Sequence, residues 1–493
     1  MANPIIGIDL GTTNCAVTKY ERGKTTVLPI KGKLTTPSVL YIEGSTVKVG
    51  HDAKKYIAVH PEKCLASTKR DMGTSTVYNI EGKEITPVLA ASLILKYLKE
   101  ETEAYLNEVC NDVVITVPAY FGFEERNATK QAAINAGWNP IALLDEPTAA
   151  AIIYGQNRNK SSLFTVVDLG GGTFDVTVLQ YLNEDGKAKF KPLKVGGNHR
   201  LGGDDFDNAI VRYMIDEGAN GYKSELELKE EAEKAKIALS TSDVASISCE
   251  YVETTLSRDQ YKELISTYLD EICDTIKKTV MGAGKTLEDI DRFILVGGSC
   301  KHPVIKDAVK NCVGRTPYSA DNLDTAVSEG AALYHHFHNQ IDIGGGILDP
   351  ICPKSLGTDL GMDGEIINVV MVAEGARIPC KACQLAFFGG STLHTKVLEG
   401  DARLVSDCKE LYEMLVEMET PGEGHAIVTV FDIDDSGCLT FYTYEINPGC
   451  DIDMLRNAVD TDTLKFDYQV WEQFLKAHSK SEYHEQTHIM PIK

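Results

Sequence analysis

Ile5-Ile6-Gly7-Ile8-Asp9-Leu10-Gly11-Thr12-Thr13-Asn14 is a short apolar strand that ends in Asp, Gly and two hydroxyls. The same design returns at Val166-Val167-Asp168-Leu169-Gly170-Gly171-Gly172-Thr173-Phe174-Asp175. A strand running into Asp, a Gly-rich turn and Thr is a phosphate grip. Glycine carries no Cβ, so backbone N–H groups can approach phosphate oxygens. The Thr hydroxyl adds a donor, and the Asp holds a metal ion or its water shell. Two copies predict two lobes related by a pseudo-twofold, closing on one nucleotide from opposite sides.

A chain of 493 residues is too long for one ordinary core, so two or more domains are expected. Hydrophobic content of 43% and charged content of 25% are those of a soluble globular protein. A net charge of −23 and a pI near 5.0 argue against non-specific nucleic-acid binding and read as a solubility feature. Met1-Ala2-Asn3-Pro4 leads into a strand without a basic region, and no window reaches the ~18 apolar residues of a membrane span. The expectation is a cytoplasmic protein without membrane or nucleic-acid partners. The 13 cysteines are scattered and odd in number, as in a reducing compartment. Cys380-Lys381-Ala382-Cys383 has CxxC spacing, but no second CxxC accompanies it. It reads as part of a strand rather than as a metal or redox site.

Along the chain, strands alternate with helices up to residue 340. Thr86-Pro87 opens a helix through Val88–Tyr105. Asp112–Val117 is a buried strand stopped by Pro118, and Glu124–Ala136 a helix opened by acids. Leu143-Leu144-Asp145-Glu146-Pro147 is a strand end that turns into a helix over Thr148–Tyr154. Lys223–Ser240 is a charged helical stretch with i,i+4 pairs such as Glu230–Lys234, read as a solvated face. Phe293-Ile294-Leu295-Val296-Gly297-Gly298-Ser299 is a third strand running into glycines, and Ala326–Phe337 a last helix. Gly344-Gly345-Gly346-Ile347-Leu348-Asp349-Pro350 breaks the pattern and marks a boundary. Beyond it the chain reads as β, with a hairpin formed by Ala426–Ile433, the turn Asp434-Asp435-Ser436-Gly437 and Leu439–Ile446. After Cys450 one weak helix is expected, over Asp467–His478.

Hydrolysis of a nucleoside triphosphate needs donors around the phosphates, a cation site, a positive charge near the γ-phosphate and a carboxylate near the attacking water. Gly11, Thr12 and Thr13 supply donors from one lobe, and Gly170, Gly171, Gly172 and Thr173 from the other. Asp9 and Asp168, at strand ends, are placed to order Mg²⁺ through waters. Glu146 is either a helix cap or a carboxylate facing the cleft, and the two phosphate turns favour the second. Gly297-Gly298-Ser299 lets a flat base lie against the backbone.

These motifs occur in an order that resembles the 70-kDa heat-shock (DnaK-type) chaperones. They are Ile8–Asn14, Ile115-Thr116-Val117-Pro118-Ala119-Tyr120-Phe121, Asp145-Glu146-Pro147-Thr148-Ala149-Ala150-Ala151, Asp168–Asp175, Leu201-Gly202-Gly203-Asp204-Asp205-Phe206-Asp207 and Leu295–Ser299. The resemblance is strong over residues 4–340 and weaker to 450, where Val397-Leu398-Glu399-Gly400 and Val430–Gly437 carry it. It implies an α/β fold: a two-lobed actin-like ATPase domain (a duplicated ribonuclease-H-like fold) over 1–340. A linker over 341–349, a peptide-binding-like β-sandwich over 350–450 and a short, mostly irregular or helical tail over 451–493 in place of the family's helical lid would follow. By the same resemblance Lys69 reaches the γ-phosphate, Thr12 and Thr173 lie near it, and Asp9, Glu146 and Asp168 surround Mg²⁺ and the water. Asp175 is a catalytic-site acid near a K⁺ site. Asn14, Gly202 and Gly203 join the nucleotide-binding turns. Glu233, Lys236 and Ser240 border the adenosine, with Gly298, Ser299 and Lys301 as the other wall. Pro118 and Arg126 are a switch and relay to the β domain, and Leu393 lines the peptide pocket.

The implied function is ATP-dependent chaperoning of the stress-response type: ATP and ADP with Mg²⁺ and K⁺ as cofactors, hydrolysis coupled to binding of unfolded or extended polypeptide, and J-domain and nucleotide-exchange partners. The chain departs from the pattern in its glycine-rich linker, a shortened segment between Phe206 and Glu233, a shortened loop at Leu385–Thr392, Lys301 where Arg is common, and the reduced lid. Four readings follow: a reduced chaperone, an ATPase whose β domain docks one dedicated partner, a small-molecule kinase of the same superfamily, and an actin-like filament former. The match of Lys69, Pro118 and Glu146, with the β domain, favours the first.

Overall fold

The computed structural model describes residues 4–57, 59–155, 161–184, 187–198, 200–222, 225–319, 323–340, 351–362, 365–417, 425–446, 459–460 and 465–466. The linker 341–349, the helix expected at Asp467–His478 and almost all of 451–493 lie outside them. The chain divides into two compact units, Met1–Phe121 with Ala128–Asp349, and Gly122–Asn127 with Pro350–Lys493.

The first unit is built on two sheets of matching plan. In one, β1 (Ile5–Asp9) pairs antiparallel with β2 (Asn14–Glu21), which pairs antiparallel with β3 (Lys24–Val27). On its other side β1 lies parallel to β4 (Asp112–Val117), and β4 parallel to β5 (Asn139–Asp145). In the second sheet β6 (Ser162–Leu169) pairs antiparallel with β7 (Phe174–Glu184), and β7 with β8 (Lys187–Asn198). Again β6 lies parallel to β9 (Arg292–Val296), and β9 to β10 (Tyr318–Ser319). The repeat of the two Gly-rich turns is thus matched by strand order and pairing sense. The interior strand β4 is mostly apolar because both its faces are covered; Val113, Val114, Ile115 and Val117 have no exposed surface.

The first long helix, α1 (Pro87–Leu106), starts where Pro and a hydroxyl cap allow. The Thr86 hydroxyl accepts from the Leu89 amide at 3.2 Å. It is followed by α2 (Phe123–Asn135) and α3 (Glu146–Gly155). The second sheet is served by α4 (Gly203–Asp216), α5 (Glu225–Ala238), α6 (Arg258–Leu264), α7 (Ser266–Gly282) and α8 (Pro303–Val313), and α9 (Ala326–Gln340) closes the unit. One core joins both sheets. Val114, Ala142 and Leu144 from the first and Phe164, Val166 and Ile294 from the second meet Ala149–Ile152 of α3 and Ala331 and Leu333 of α9. Small residues permit this crossing. A Cβ on Gly330 would lie 1.9 Å from the Ala149 carbonyl oxygen, and one on Gly7 2.2 Å from the Ala332 amide nitrogen. The crossing therefore fixes β1 and α3, which carry Asp9 and Glu146.

The second unit contains a four-stranded sheet of β11 (Leu356–Met362), β12 (Glu365–Val372), β14 (Thr392–Glu399) and β15 (Lys409–Glu417). A three-stranded sheet holds β13 (Cys380–Phe388), β16 (His425–Ile433) and β17 (Leu439–Glu445). All pairings are antiparallel. Two sequence expectations are corrected here. The segment read as a loop from Leu385 is strand as far as Phe388, held by pairing with Val428, Ile427, Ala426 and His425, so the connection is only Gly389–Ser391. In α5, Lys234 pairs with Glu231 at 2.6 Å, three residues away, instead of with Glu230.

Candidate functional site

Four strand ends of the first unit open onto one cavity of about 360 Å³. β1 ends at Asp9 and turns through Gly11-Thr12-Thr13 into β2; β6 ends at Leu169 and turns through Gly170–Thr173 into β7. β9 runs into Gly297 and a 3₁₀ turn over Gly298–Lys301, and β5 delivers the chain to Glu146 at the start of α3. The two phosphate turns nearly touch: a Cβ on Gly171 would lie 1.6 Å from the Thr13 hydroxyl oxygen. Gly297 holds φ +85°, and a Cβ there would meet the Leu169 carbonyl oxygen at 2.4 Å. No L side chain is accommodated at this close approach.

The cavity is lined by Gly11, Thr12, Thr13 and Asn14, by Gly170, Gly171, Thr173 and Gly203, and by Asp9, Glu146 and Asp168. Glu233, Lys236, Ser240, Gly297, Gly298, Ser299 and Lys301 complete the residues expected from the sequence. Gly172 and Gly202 stand behind the lining: a Cβ on Gly202 would strike the Gly171 carbonyl oxygen at 2.6 Å. Lys69 and Asp175 are also outside the lining but adjoin it. The Lys69 ammonium donates to Glu146 Oε1 at 2.6 Å, both side chains being buried. Asp175 is fully buried, and the Tyr120 backbone favours its ionised form.

The charges crowd one another. Asp9 is pushed up to about 7 by burial and then by Glu146, with Lys69 and the Thr116 hydroxyl, 3.0 Å away, acting the other way. Burial, then Glu146 and Asp9, hold Asp168 well above the usual carboxylate range. Burial, then Glu146 and Asp168, do the same to Asp175. Buried carboxylates that repel one another are a place for a cation. Among the described residues no three acidic, His or Cys groups converge closely enough to ligate a metal directly. Carboxylates of Asp9, Glu146 and Asp168 beside a roomy cavity lined by hydroxyls are a donor set that suits a cation carrying its water shell.

A pH dependence follows. Asp9 binds its proton more tightly in the folded protein than in the unfolded chain. Its contribution to stability is full below the unfolded value of 3.8 and is lost as the pH rises through about 7. Asp168 and Asp175 shift in the same direction. The urea midpoint of the nucleotide-free protein is expected to fall from pH 5 to pH 8, and Asp9→Asn to flatten that slope. Equal slopes in wild type and variant would refute the crowding of charge at Asp9.

At the other end of the cavity Lys236 donates to the Gly203 carbonyl at 2.9 Å and pairs with Asp207 at 2.8 Å, and Lys54 holds Glu233 at 2.6 Å. Ser299 donates to the Gly170 carbonyl at 2.8 Å, tying the Gly297–Lys301 turn to the Gly170–Thr173 turn. Ser240 Oγ is engaged by its own helix, donating to the Ile237 carbonyl at 2.6 Å. Lys301 is ion-paired with Asp324.

Several residues of this site carry no signal in the sequence. Arg70 clamps Asp205 of α4 at 2.7 and 3.3 Å, linking the turn that bears Lys69 to the second sheet's helices. Tyr261 and His302 line the cavity with ring centroids 4.8 Å apart. Burial, then Arg258 and Lys236, push His302 down to about 4, so it is neutral. Its Nδ1 accepts from the Val304 amide at 3.2 Å, which places the proton on Nε2. Nε2 and the Tyr261 hydroxyl are both buried and unpartnered. A lone His before Pro reads as a helix cap, and only the fold shows its other nitrogen to be a free donor.

The remaining expected residues lie elsewhere. Pro118 is buried just after β4. Arg126 is buried and donates to the Ser436 carbonyl at 3.0 Å, both residues belonging to the second unit. Leu393 is half-buried in β14, opposite Val416 of β15. Cys380 and Cys383 lie three apart on one strand and so point to opposite faces, which removes the CxxC as a shared site. No helix of the described residues is long and apolar enough to cross a membrane.

The family model described as Hsp70 protein matches residues 5–79 and 74–461. It spans the strand-end turns, the acids around the cavity and the four- and three-stranded sheets of the second unit, and the chain belongs to the Hsp70 family.

Proposed function

We propose that this chain is an ATP-driven chaperone of reduced form. Family membership brings ATP binding, ATPase activity and chaperoning in general. The observation that carries the finer reading is the convergence on one cavity of two phosphate turns and the Lys69–Glu146 pair. In this reading the first unit is a duplicated ribonuclease-H-like, actin-like ATPase over 1–340, and the second a peptide-binding β-sandwich over 350–450. Thr12, Thr13, Thr173 and the turn amides hold the β and γ phosphates. Lys69 balances charge at the γ-phosphate, and Glu146 orients the attacking water. Asp9 and Asp168 hold the water shell of Mg²⁺, which supplies charge neutralisation at the phosphates when bound. The buried carboxylate of Asp175 is assigned to K⁺. Glu233, Lys236, Ser240, Ser299 and Lys301 enclose the nucleoside. Pro118 and Arg126 relay nucleotide state, and Leu393 lines the peptide pocket. J-domain and exchange factors are the partners, and the cytoplasm is the compartment.

A second reading keeps the ATPase and makes the β unit a docking module for one partner. The tight Gly389–Ser391 connection favours it, since little chain is left to arch over a peptide. Steady-state ATPase with Mg²⁺ and K⁺, with and without an unfolded apolar peptide, separates the two. Slow hydrolysis that rises severalfold with peptide is expected. Hydrolysis indifferent to peptide favours the docking module, and no hydrolysis under any condition overturns both.

A further inference from the structure

Beside Lys236 and Asp207 the cavity is walled by a Tyr and a His that hydrolysis does not need. Tyr261 lies within α6, and His302 is the residue that caps α8. Both line the cavity, and both feel the charges there: Asp207 acts on the phenol and Lys236 on the imidazole. Tyr261 has no exposed surface and His302 keeps only 5%. Their rings pack with centroids 4.8 Å apart, inclined by 53°, so each holds the other in place. His302 Nδ1 is committed to the Val304 amide, which leaves Nε2–H on the far side of the ring. Neither Nε2 nor the Tyr261 hydroxyl has a hydrogen-bond partner among the described residues.

The polar side chains that the sequence placed at this end are already engaged. Lys236 is held by the Gly203 carbonyl and Asp207, Glu233 by Lys54, and Lys301 by Asp324. Ser240 and Ser299 donate to the Ile237 and Gly170 carbonyls. Of all these groups, Nε2–H and the phenol are the donors left uncommitted. A buried donor without an acceptor carries its full desolvation cost, so a pair of them facing one cavity calls for a ligand or an ordered water.

We propose that His302 and Tyr261 read the base of the nucleotide: Nε2–H donates to a ring nitrogen of adenine, and the phenol meets the polar atom beside it. This rests on the nucleotide reading and deepens it. The chemistry of the pair selects the class of ligand. The neutral imidazole offers a donor of fixed sense, so the atom it meets must be an acceptor. The phenol donates or accepts, and so tolerates an amino group next to that acceptor. Asp207, Glu233 and Asp324 line the same cavity, and both lysines are paired with acids, so a neutral heterocycle is favoured here over an anion. With ATP binding general to the family, that heterocycle is adenine, whose N1, N3 and N7 all accept.

The test is calorimetric titration of the full-length protein with ATP and with 1-deaza-, 3-deaza- and 7-deaza-ATP, each of which puts CH in place of one ring nitrogen. Wild type is expected to bind one of the three about tenfold more weakly than ATP. His302→Ser keeps a side-chain oxygen to cap α8 and removes Nε2–H. It should bind ATP about tenfold more weakly than wild type, and should no longer distinguish that analogue from ATP. Tyr261→Phe deletes only the hydroxyl and should weaken ATP severalfold. Three analogues that all bind wild type as ATP does would overturn the inference and leave the nucleotide reading intact, the two donors then holding water only. Discrimination that survives in His302→Ser would also overturn it. If ATP itself does not bind, the nucleotide reading falls and this inference with it. The wild-type series needs no variant to fold.

Discussion

Lys69→Ala is expected to lower the single-turnover rate of ATP hydrolysis by about 10²–10³-fold while leaving nucleotide affinity within a few-fold. The Lys69 ammonium is held at 2.6 Å from Glu146 in a site where Asp9 and Asp168 already crowd a third carboxylate. Positive charge fixed in place before the reaction does not have to reorganise as charge develops, which is why its removal acts on rate more than on binding. The far end of the cavity, where Lys236 bonds the Gly203 carbonyl and Glu233 pairs with Lys54, is untouched by the change. Removal also leaves Glu146 buried without its cation, so a parallel fall in the urea midpoint is expected. Rapid-quench hydrolysis alongside binding of a fluorescent nucleotide checks both. A rate within threefold of wild type would remove Lys69 from the chemistry.

Gly330→Ala is expected to destabilise the first unit by about 3 kcal/mol or more, and to abolish hydrolysis as a consequence. The added methyl would lie 1.9 Å from the Ala149 carbonyl oxygen and 2.4 Å from its carbonyl carbon. These are backbone atoms of α3, so no rotamer change relieves the clash. The helices must separate, and α3 begins with Glu146, whose carboxylate would move from Lys69. Gly361→Ala is the control, since a Cβ there meets nothing within 4 Å. Urea unfolding followed by tryptophan fluorescence measures the difference. A midpoint equal to that of the control would mean that the α3–α9 crossing can yield.

The parts of the site that follow from local chemistry were legible in the chain. A strand into Asp-Leu-Gly-Thr-Thr reads the same in one dimension as in three, because the turn's shape is set by its own glycines and hydroxyls. Asp9, Glu146, Asp168 and the Gly297 turn were found in this way. Lys69 was not a local signal: alone it is a surface lysine, and only its place in the family pattern singled it out. The outer strands β7 and β8 and the helices α7 and α8 passed unread, since they carry no turn chemistry beyond ordinary amphipathic pattern. The loop expected at Leu385 failed because pairing with β16 overrides the local preference of a segment rich in small and aromatic residues.

Sequence alone determined that this chain would build paired Gly- and Thr-rich turns at strand ends, with an acid at each. Those features depend on neighbours within a few residues. Tertiary structure decided which groups far apart in the chain share a charge. The Lys69–Glu146 pair, the Arg70–Asp205 clamp and the Tyr261–His302 donors each join residues from different elements. Burial then sets their protonation and reactivity, and burial is a property of the packed fold, which no stretch of sequence carries by itself.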